Sequence, residues 1–410
     1  MTENISSIKF LLRAFSHRNY RLFFSGQGLS LIGTWMQQIA MGWLVYRITD
    51  STFYLGLIGF TGQVPIFLFA SLAGVYADRH NRRIILLITQ IVSMLQSLAL
   101  TVLTFTGMVG VWHLIVLSSV LGIANAFDMP ARQSFVIDIV EHKEDLGNAI
   151  AFNSFMFNGA RLIGPSIAGI VIAYSGEGMC FLVNTISFLT IIAALLAMRL
   201  PVKEKTAESK SVLKGLIEGY SYSFRHIPIR NILLHLCIMS FIGMPATVLM
   251  PYFARDQLHG GPGTLGLLSS FSGLGALIGV LYLASRKNTL GLTKLIAITS
   301  AVFGMGLVGF SFSSSFILSM TLVFFMGFGM IVQMAACNTI LQTVVQEEMR
   351  GRVMSLYAMA IAGMVPFGSL IVGMLSSEIG SPHTVLICGF SCVAASILFL
   401  IRSANEESHQ

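Results

Sequence analysis

The sequence predicts an all-α membrane protein with twelve transmembrane helices arranged as two pseudo-symmetric six-helix bundles. Of its 410 residues 55% are hydrophobic and 10% charged, whereas soluble domains carry about a quarter charged residues. A water-facing surface cannot be built from that composition, and the mean hydropathy of +0.79 agrees. Stretches free of Asp, Glu, Lys and Arg recur at lengths that suit a bilayer, at about 20 residues per crossing. Their order also repeats: each half reads single, single, double, single, single, as a duplicated unit would.

Taken in order, the first half offers 22–46, 51–77, 84–127, 146–176 and 178–198. The third holds two spans that turn at Thr106-Gly107, and the fourth is interrupted by Arg161. The second half offers 231–254, 257–285, 295–346, 353–377 and 379–401, the third again double around Ser313-Ser314-Ser315. Residues 1–198 are thus an N-terminal bundle, 199–230 a linker and 231–410 a C-terminal bundle. The linker carries Lys203, Lys205, Lys210, Lys214, Arg225 and Arg230, while Val212, Leu213, Leu216, Ile217, Tyr220 and Phe224 recur at helical spacing. An amphipathic helix on the membrane surface is expected there.

Cations set the orientation. Lys9, Arg13, Arg18, Arg21, Arg79, Arg82, Arg83, Arg132, Lys143, the linker cations, Arg286, Lys287, Lys294, Arg350, Arg352 and Arg402 fall on one side; Arg47 and Arg255 fall on the other. The positive-inside rule places both termini in the cytoplasm. Since no small-residue cleavage pattern follows the first apolar core, that segment is expected to be retained.

Several function classes are excluded. The net charge of +7 is not gathered on a polar face with aromatics, as nucleic-acid binding requires. No G-x-x-x-x-G-K-[ST] loop occurs, and no nucleophile stands beside a base and an orienting acid. The nine histidines are scattered, and Cys180, Cys237, Cys337, Cys388 and Cys392 sit singly in apolar stretches, so neither a metal site nor any other cofactor is expected. The chain is not read as an enzyme.

Between spans 2 and 3 runs Gly74-Val75-Tyr76-Ala77-Asp78-Arg79-His80-Asn81-Arg82-Arg83. A small residue there lets the span end approach a neighbour, and an acid can bind a facing helix N-terminus. This loop resembles the major facilitator superfamily signature G-x-x-x-D-[RK]-x-G-R-[RK], with Asn81 replacing the inner glycine; asparagine also tolerates a left-handed turn. Gly164-Pro165 in span 5, followed by Ala168-Gly169, is similar to the superfamily's exporter-associated motif, and it equally suits plain close packing with a bend. Trp35-Met36-Gln37-Gln38, Phe127-Asp128-Met129-Pro130-Ala131-Arg132-Gln133 and Arg350-Gly351-Arg352-Val353-Met354-Ser355 look like the branch containing bacterial enterobactin and macrolide exporters. The resemblance covers essentially the whole chain. It implies the major facilitator fold, a bacterial inner membrane, and export of a small organic molecule, siderophore or drug-like, by alternating access with proton coupling. Import of a metabolite or lipid, or a transport-dead scaffold or sensor, are the alternatives. It also implies a gate built from Gly74, Asp78, Arg79, Arg82, Arg132, Gly164 and Pro165, with Asp78 latching onto the N-terminal end of span 11 near Arg352 and onto a cation such as Arg132.

For the cavity, Gln27, Ser30, Thr34, Gln37 and Gln38 share a stripe about 100° wide on span 1, and Ser154, Asn158 and Arg161 share one on span 5. These are the expected substrate-binding residues, with Asn158, a span-1 glutamine or an anionic group of the ligand as candidate acceptors for Arg161. Gln333, Asn338 and Gln342 of span 10 are spread round their helix. Asp128, close to the cytoplasmic end of span 4, and His235, about two turns into span 7, are the candidates for proton coupling. The expected partners are the substrate, membrane lipids and protons, without nucleic acid, for a protein acting as a monomer.

Overall fold

The computed structural model describes residues 13–140, 142–199, 212–286 and 291–407. The first bundle comprises α1 (Arg18–Thr49), α2 (Thr52–Arg79), α3 (Arg82–Phe105), α4 (Val111–Ile139), α5 (Leu146–Ser175) and α6 (Glu177–Ala197). The second comprises α7 (Ile227–Gln257), α8 (Pro262–Ala284), α9 (Leu292–Phe312), α10 (Phe316–Val344), α11 (Glu347–Ile379) and α12 (Ser381–Glu407). Eleven of these are long and apolar enough to cross a membrane. The twelfth, α1, has 32 residues, and its hydropathy is diluted by the polar positions between Gln27 and Gln38. The cations Lys9, Lys203, Lys205, Lys210 and Lys287 lie outside the described residues.

The duplication is visible at the turns. Gly176 (φ +77°) joins α5 to α6, and Gly380 (φ +87°) joins α11 to α12 at the corresponding place. Each reverses the chain in a conformation that glycine adopts freely. Within the first bundle α1 packs on α5 and α6, α2 on α4, and α3 on α4 and α6; within the second α8 packs on α10, and α9 on α10 and α12. The bundles meet through two long crossings, α5 with α8 and α2 with α11. An even number of spans puts both ends of the chain on one face, called here the terminal face; the opposite one is the far face.

Two helices of the second bundle are irregular. Along α7 an α-helical start (Ile227–Ile238) gives way to π turns (Met239–Gly243), then 3-10 turns (Met244–Leu249), one α turn and a final π stretch (Phe253–Gln257). Pro245 and Pro251 withhold amide donors there, which displaces the regular ladder. In α11 the helix pauses between Ala362 and Val365. Just beyond, Gly368 lets α11 lie directly on the Phe241 carbonyl and on Pro245 of the irregular α7 stretch.

Within the linker a helix forms over Val212–Arg225, and it docks on the start of α11. Glu218 pairs with Arg352 at 2.7 Å, and Gly219 admits the Arg352 Cβ at a distance no larger residue would allow. Tyr220 and Phe224 stack at 4.2 Å on its outer side. All five cysteines are free thiols, four of them buried.

Candidate functional site

Small residues close the far half of the molecule. A Cβ on Gly266 of α8 would meet the Pro165 carbonyl and lie 3.0 Å from Gly169 Cα of α5. On the other side, a Cβ on Gly56 of α2 would lie 2.7 Å from Gly373 Cα of α11, and Gly59 faces Ser369 at 3.2 Å. Such spacings let helix backbones touch and exclude water. At the rim, Tyr46 Oη of α1 donates to Asp256 Oδ2 of α7 at 2.5 Å. Arg255 Nη1 donates to Asp50 Oδ1 at 3.0 Å, its guanidinium 5.3 Å from the Tyr46 ring centre. These rim residues and glycines were not among the expected gate. Glycine spacing in spans 2, 8 and 11 is the signal that could have found part of them.

Toward the terminal face the bundles part. Gly74 has no neighbour within 4 Å where a side chain would be, and the Asp78 side chain is 71% exposed. The expected contact of Gly74 with a neighbouring helix is therefore absent in this conformation, because that half of the interface is open. Asp78 reaches Arg82 at 3.5 Å rather than α11 or Arg132. Arg352 is engaged by Glu218, and Arg132 by Asp128 one turn away.

The loop's remaining polar groups knit the first bundle together. Arg82 Nη1 donates to Asp138 Oδ2 of α4 at 2.7 Å, Arg83 donates to the Leu196 carbonyl of α6 at 2.9 Å, and Arg79 is exposed. Asn81 corrects another expectation. Its φ of −67° is not left-handed, and its side chain caps α3 by accepting from Arg83 N.

Gly164 and Pro165 divide their work. Gly164 admits Trp35 and the Ile32 carbonyl of α1, a contact inside the first bundle rather than at the gate. The Pro165 carbonyl faces Gly266 across the bundle interface.

At the level where the bundles separate stands Arg161. Its carbonyl lies 2.9 Å from the position of a Gly273 Cβ on α8; toward the far face Ser166 Oγ donates to Ser270 Oγ at 2.7 Å. The guanidinium lies over the Trp35 ring, 5.8 Å from its centre, and Trp35 in turn meets Phe157 edge-on at 6.0 Å. The expected acceptors are elsewhere. Asn158 is buried and donates to the Ser154 carbonyl of its own helix at 2.8 Å, whereas Ser154 is exposed.

The span-1 stripe mostly faces the bundle interior. Gln27 and Ser30 are buried, and Thr34 donates back to the Ser30 carbonyl. Gln37 donates to Gln96 of α3 at 2.9 Å and accepts from Asn184 of α6 at 2.7 Å. Gln38 is exposed. The physical reason is that adjacent helix positions differ by 100°, so Gln37 points into the α3–α6 seam while Gln38 stays outside it. Gln37 is thus an interhelical polar residue, of the kind that fixes helix packing in lipid, while Thr34 is satisfied within its own helix.

Neither proton-coupling candidate stands in the cavity. Helix α4 continues past Asp128 to Ile139, which places Asp128 inside the helix rather than near its end. There it is buried, accepts from Gln90 Nε2 at 2.7 Å and Thr89 Oγ1 at 3.0 Å, and pairs with Arg132. His235 is buried in the second bundle. Its Nε2 meets Ser300 Oγ at 2.8 Å, Ser300 donates onward to Gln333, and its ring lies 4.7 Å from that of Phe399.

Comparison with known proteins gives this arrangement a lineage. Residues 11–409 match the family described as transmembrane secretion effector. The staphyloferrin A transporter of Staphylococcus aureus (strain NCTC 8325 / PS 47) is 29% identical over 383 residues, covering 92% of this chain and 95% of that protein. Macrolide efflux protein A of Streptococcus pyogenes is 23% identical over 398 residues, covering 93% and 96%. Among solved structures, nucleoside transporter NupG superposes with a TM-score of 0.73 at 12% identity, covering 94% of this chain and 99% of that one. A D-xylose-proton symporter superposes with a TM-score of 0.71 at 14% identity, covering 93% and 96%; at such identities the likeness is one of fold. The chain belongs to the transmembrane secretion effector family, in the siderophore and macrolide efflux branch of the major facilitator superfamily.

Proposed function

We propose that the protein is a secondary active exporter of the bacterial cytoplasmic membrane, acting as a monomer. It carries a small organic molecule, siderophore-like or drug-like, outward by alternating access in exchange for protons. The observation that carries this reading is the asymmetry of the bundle interface: on the far side the bundles meet through backbone-tight crossings, whereas on the cation-rich side Gly74 has no neighbour within 4 Å and the Asp78 side chain is exposed. Under the positive-inside rule the terminal face is cytoplasmic, and the conformation is the inward-facing one that loads an exporter's cargo. The names of the relatives support cargo of this size. In the opposite, outward-facing state Asp78 swings against the N-terminal turn of α11, where the helix dipole favours a carboxylate.

The test is efflux from proteoliposomes under an imposed pH gradient, against a panel of siderophores, antibiotics and metabolites. Gradient-driven movement of at least one class is expected, and Asp78→Asn should slow it several-fold at equal protein content. Movement indifferent to the gradient would remove the proton from the scheme, and the absence of any movement would remove transport.

Orientation is checked separately. In a cysteine-free background, thiols at Ser209 and Ser408, both outside the described residues, should be shielded from a membrane-impermeant maleimide in whole cells. A thiol at Gly260, on the far side, should react. The reverse pattern would invert the topology.

A further inference from the structure

Arg161 differs from the arginines that other helices pair with a carboxylate. Arg132 has Asp128, Arg82 has Asp138 and Arg47 has Glu177 at 2.7 Å. Arg161 stands in the middle of α5 with no carboxylate and no hydrogen-bond acceptor among the described residues; its neighbour is the face of Trp35. A cation at that depth is costly unless paired or watered, and an aromatic face compensates it in part. The rest of the compensation has to come from something that enters.

The surroundings say where it enters and what shape it has. One turn away from Arg161 toward the terminal face Phe157 is exposed, and two turns away Ser154 is exposed on the same stripe, so the space between the bundles reaches the guanidinium from that side. Toward the far face the path is closed, since Gly273 lies against the Arg161 backbone and Ser166 is bonded to Ser270. The guanidinium is therefore at the blind end of the opening. With one side covered by the indole, its N–H groups remain for a planar two-oxygen acceptor, the geometry in which arginine binds carboxylates best. Trp35 and Phe157, edge-on to each other beside it, supply an apolar wall for the body attached to that carboxylate.

We propose that Arg161, backed by Trp35, is the subsite that takes the carboxylate of an organic-anion substrate with an apolar or aromatic body. This rests on the exporter reading and narrows its cargo to anions.

The experiment uses purified full-length protein carrying Trp43→Phe and Trp112→Phe, which leaves Trp35 as the sole indole. Trp35 fluorescence is titrated with 4-phenylbutyrate, with the neutral 4-phenylbutyramide and with phenylphosphonate. A saturable response to the carboxylate is expected, at least tenfold tighter than any response to the amide. It should be weakened in Arg161→Lys and lost in Arg161→Gln while the thermal unfolding of both variants stays cooperative. A tighter response to the phosphonate than to the carboxylate would reassign the oxyanion and overturn the carboxylate. The absence of a saturable response, equal responses to acid and amide, or an unchanged titration in Arg161→Gln would overturn the subsite. Its failure is distinguishable from failure of the exporter reading. Charge-blind titration with working efflux removes the subsite alone, and charge-selective titration without efflux under any gradient removes the exporter alone.

Discussion

Gly266→Val is expected to lower the initial efflux rate roughly 10- to 100-fold while leaving membrane insertion intact. In this conformation the new Cβ would collide with the Pro165 carbonyl and crowd Gly169 Cα at 3.0 Å. Both are backbone, which yields far less readily than a side chain. Overpacking of this kind costs about 1–3 kcal/mol, and the cost falls on the conformation in which α5 and α8 touch. At about 1.4 kcal/mol per tenfold change in population, the equilibrium moves toward the state in which the far face is open. Two measurements check this. Efflux should fall, and a thiol introduced at Ser270, buried at the same crossing, should react faster with an impermeant reagent from outside. Gly56→Val should act likewise at the α2–α11 crossing. Wild-type efflux together with unchanged labelling would mean that the crossing is not part of the moving interface.

The second large effect is on stability. Asp128→Ala strands the Arg132 guanidinium and leaves the donors of Thr89 and Gln90 without their carboxylate acceptor. Breaking a buried pair by removing one partner costs about 3–5 kcal/mol, and a marked drop in the melting temperature in detergent is expected. Asp128→Leu combined with Arg132→Met removes both charges and should recover most of the loss, since a buried pair is often replaceable by apolar residues of similar volume. The double variant also decides whether Asp128 has a proton-carrying role. Because the carboxylate is enclosed by α3 and α4, away from the opening between the bundles, pH-driven efflux should survive in the double variant. A stable double variant that no longer responds to the gradient would return Asp128 to the coupling mechanism.

The features legible in the sequence are those set by composition over long windows. Charge-free intervals reproduce the twelve helices because a bilayer taxes every ionised residue, and the repeat of those intervals survives as the paired Gly176 and Gly380 turns. The singularity of Arg161 was legible for the same reason. Azimuth was less so: a polar stripe on span 1 says that something polar lies opposite, but not whether that is water or Gln96 and Asn184. The far-face rim was hidden for another reason. Tyr46 and Asp50 meet Arg255 and Asp256 across some 200 positions of chain, and no local pattern encodes that meeting. Asp128 was misplaced because a span boundary was set at the first charge, whereas Arg132 neutralises that charge from the next turn and the helix continues.

Helix α7 has a mechanical consequence that follows from its changing hydrogen-bond register. Near its start His235 is held by Ser300 of α9, and at its far end Gln257 donates to the Ser311 and Ser313 carbonyls at the end of α9 at 3.0 Å, while Asp256 and Arg255 bind Tyr46 and Asp50 of the first bundle. A uniform helix would transmit any tilt of one end to the other. Between these anchors the π and 3-10 turns alternate wider and tighter winding, so the segment between Met239 and Tyr252 acts as a flexible coupling. When Tyr46 and Asp50 let go, that coupling can take up the tilt between the bundles while both ends of α7 keep their seats on α9 through His235 and Gln257, so the rim can part without unpacking the core of the second bundle.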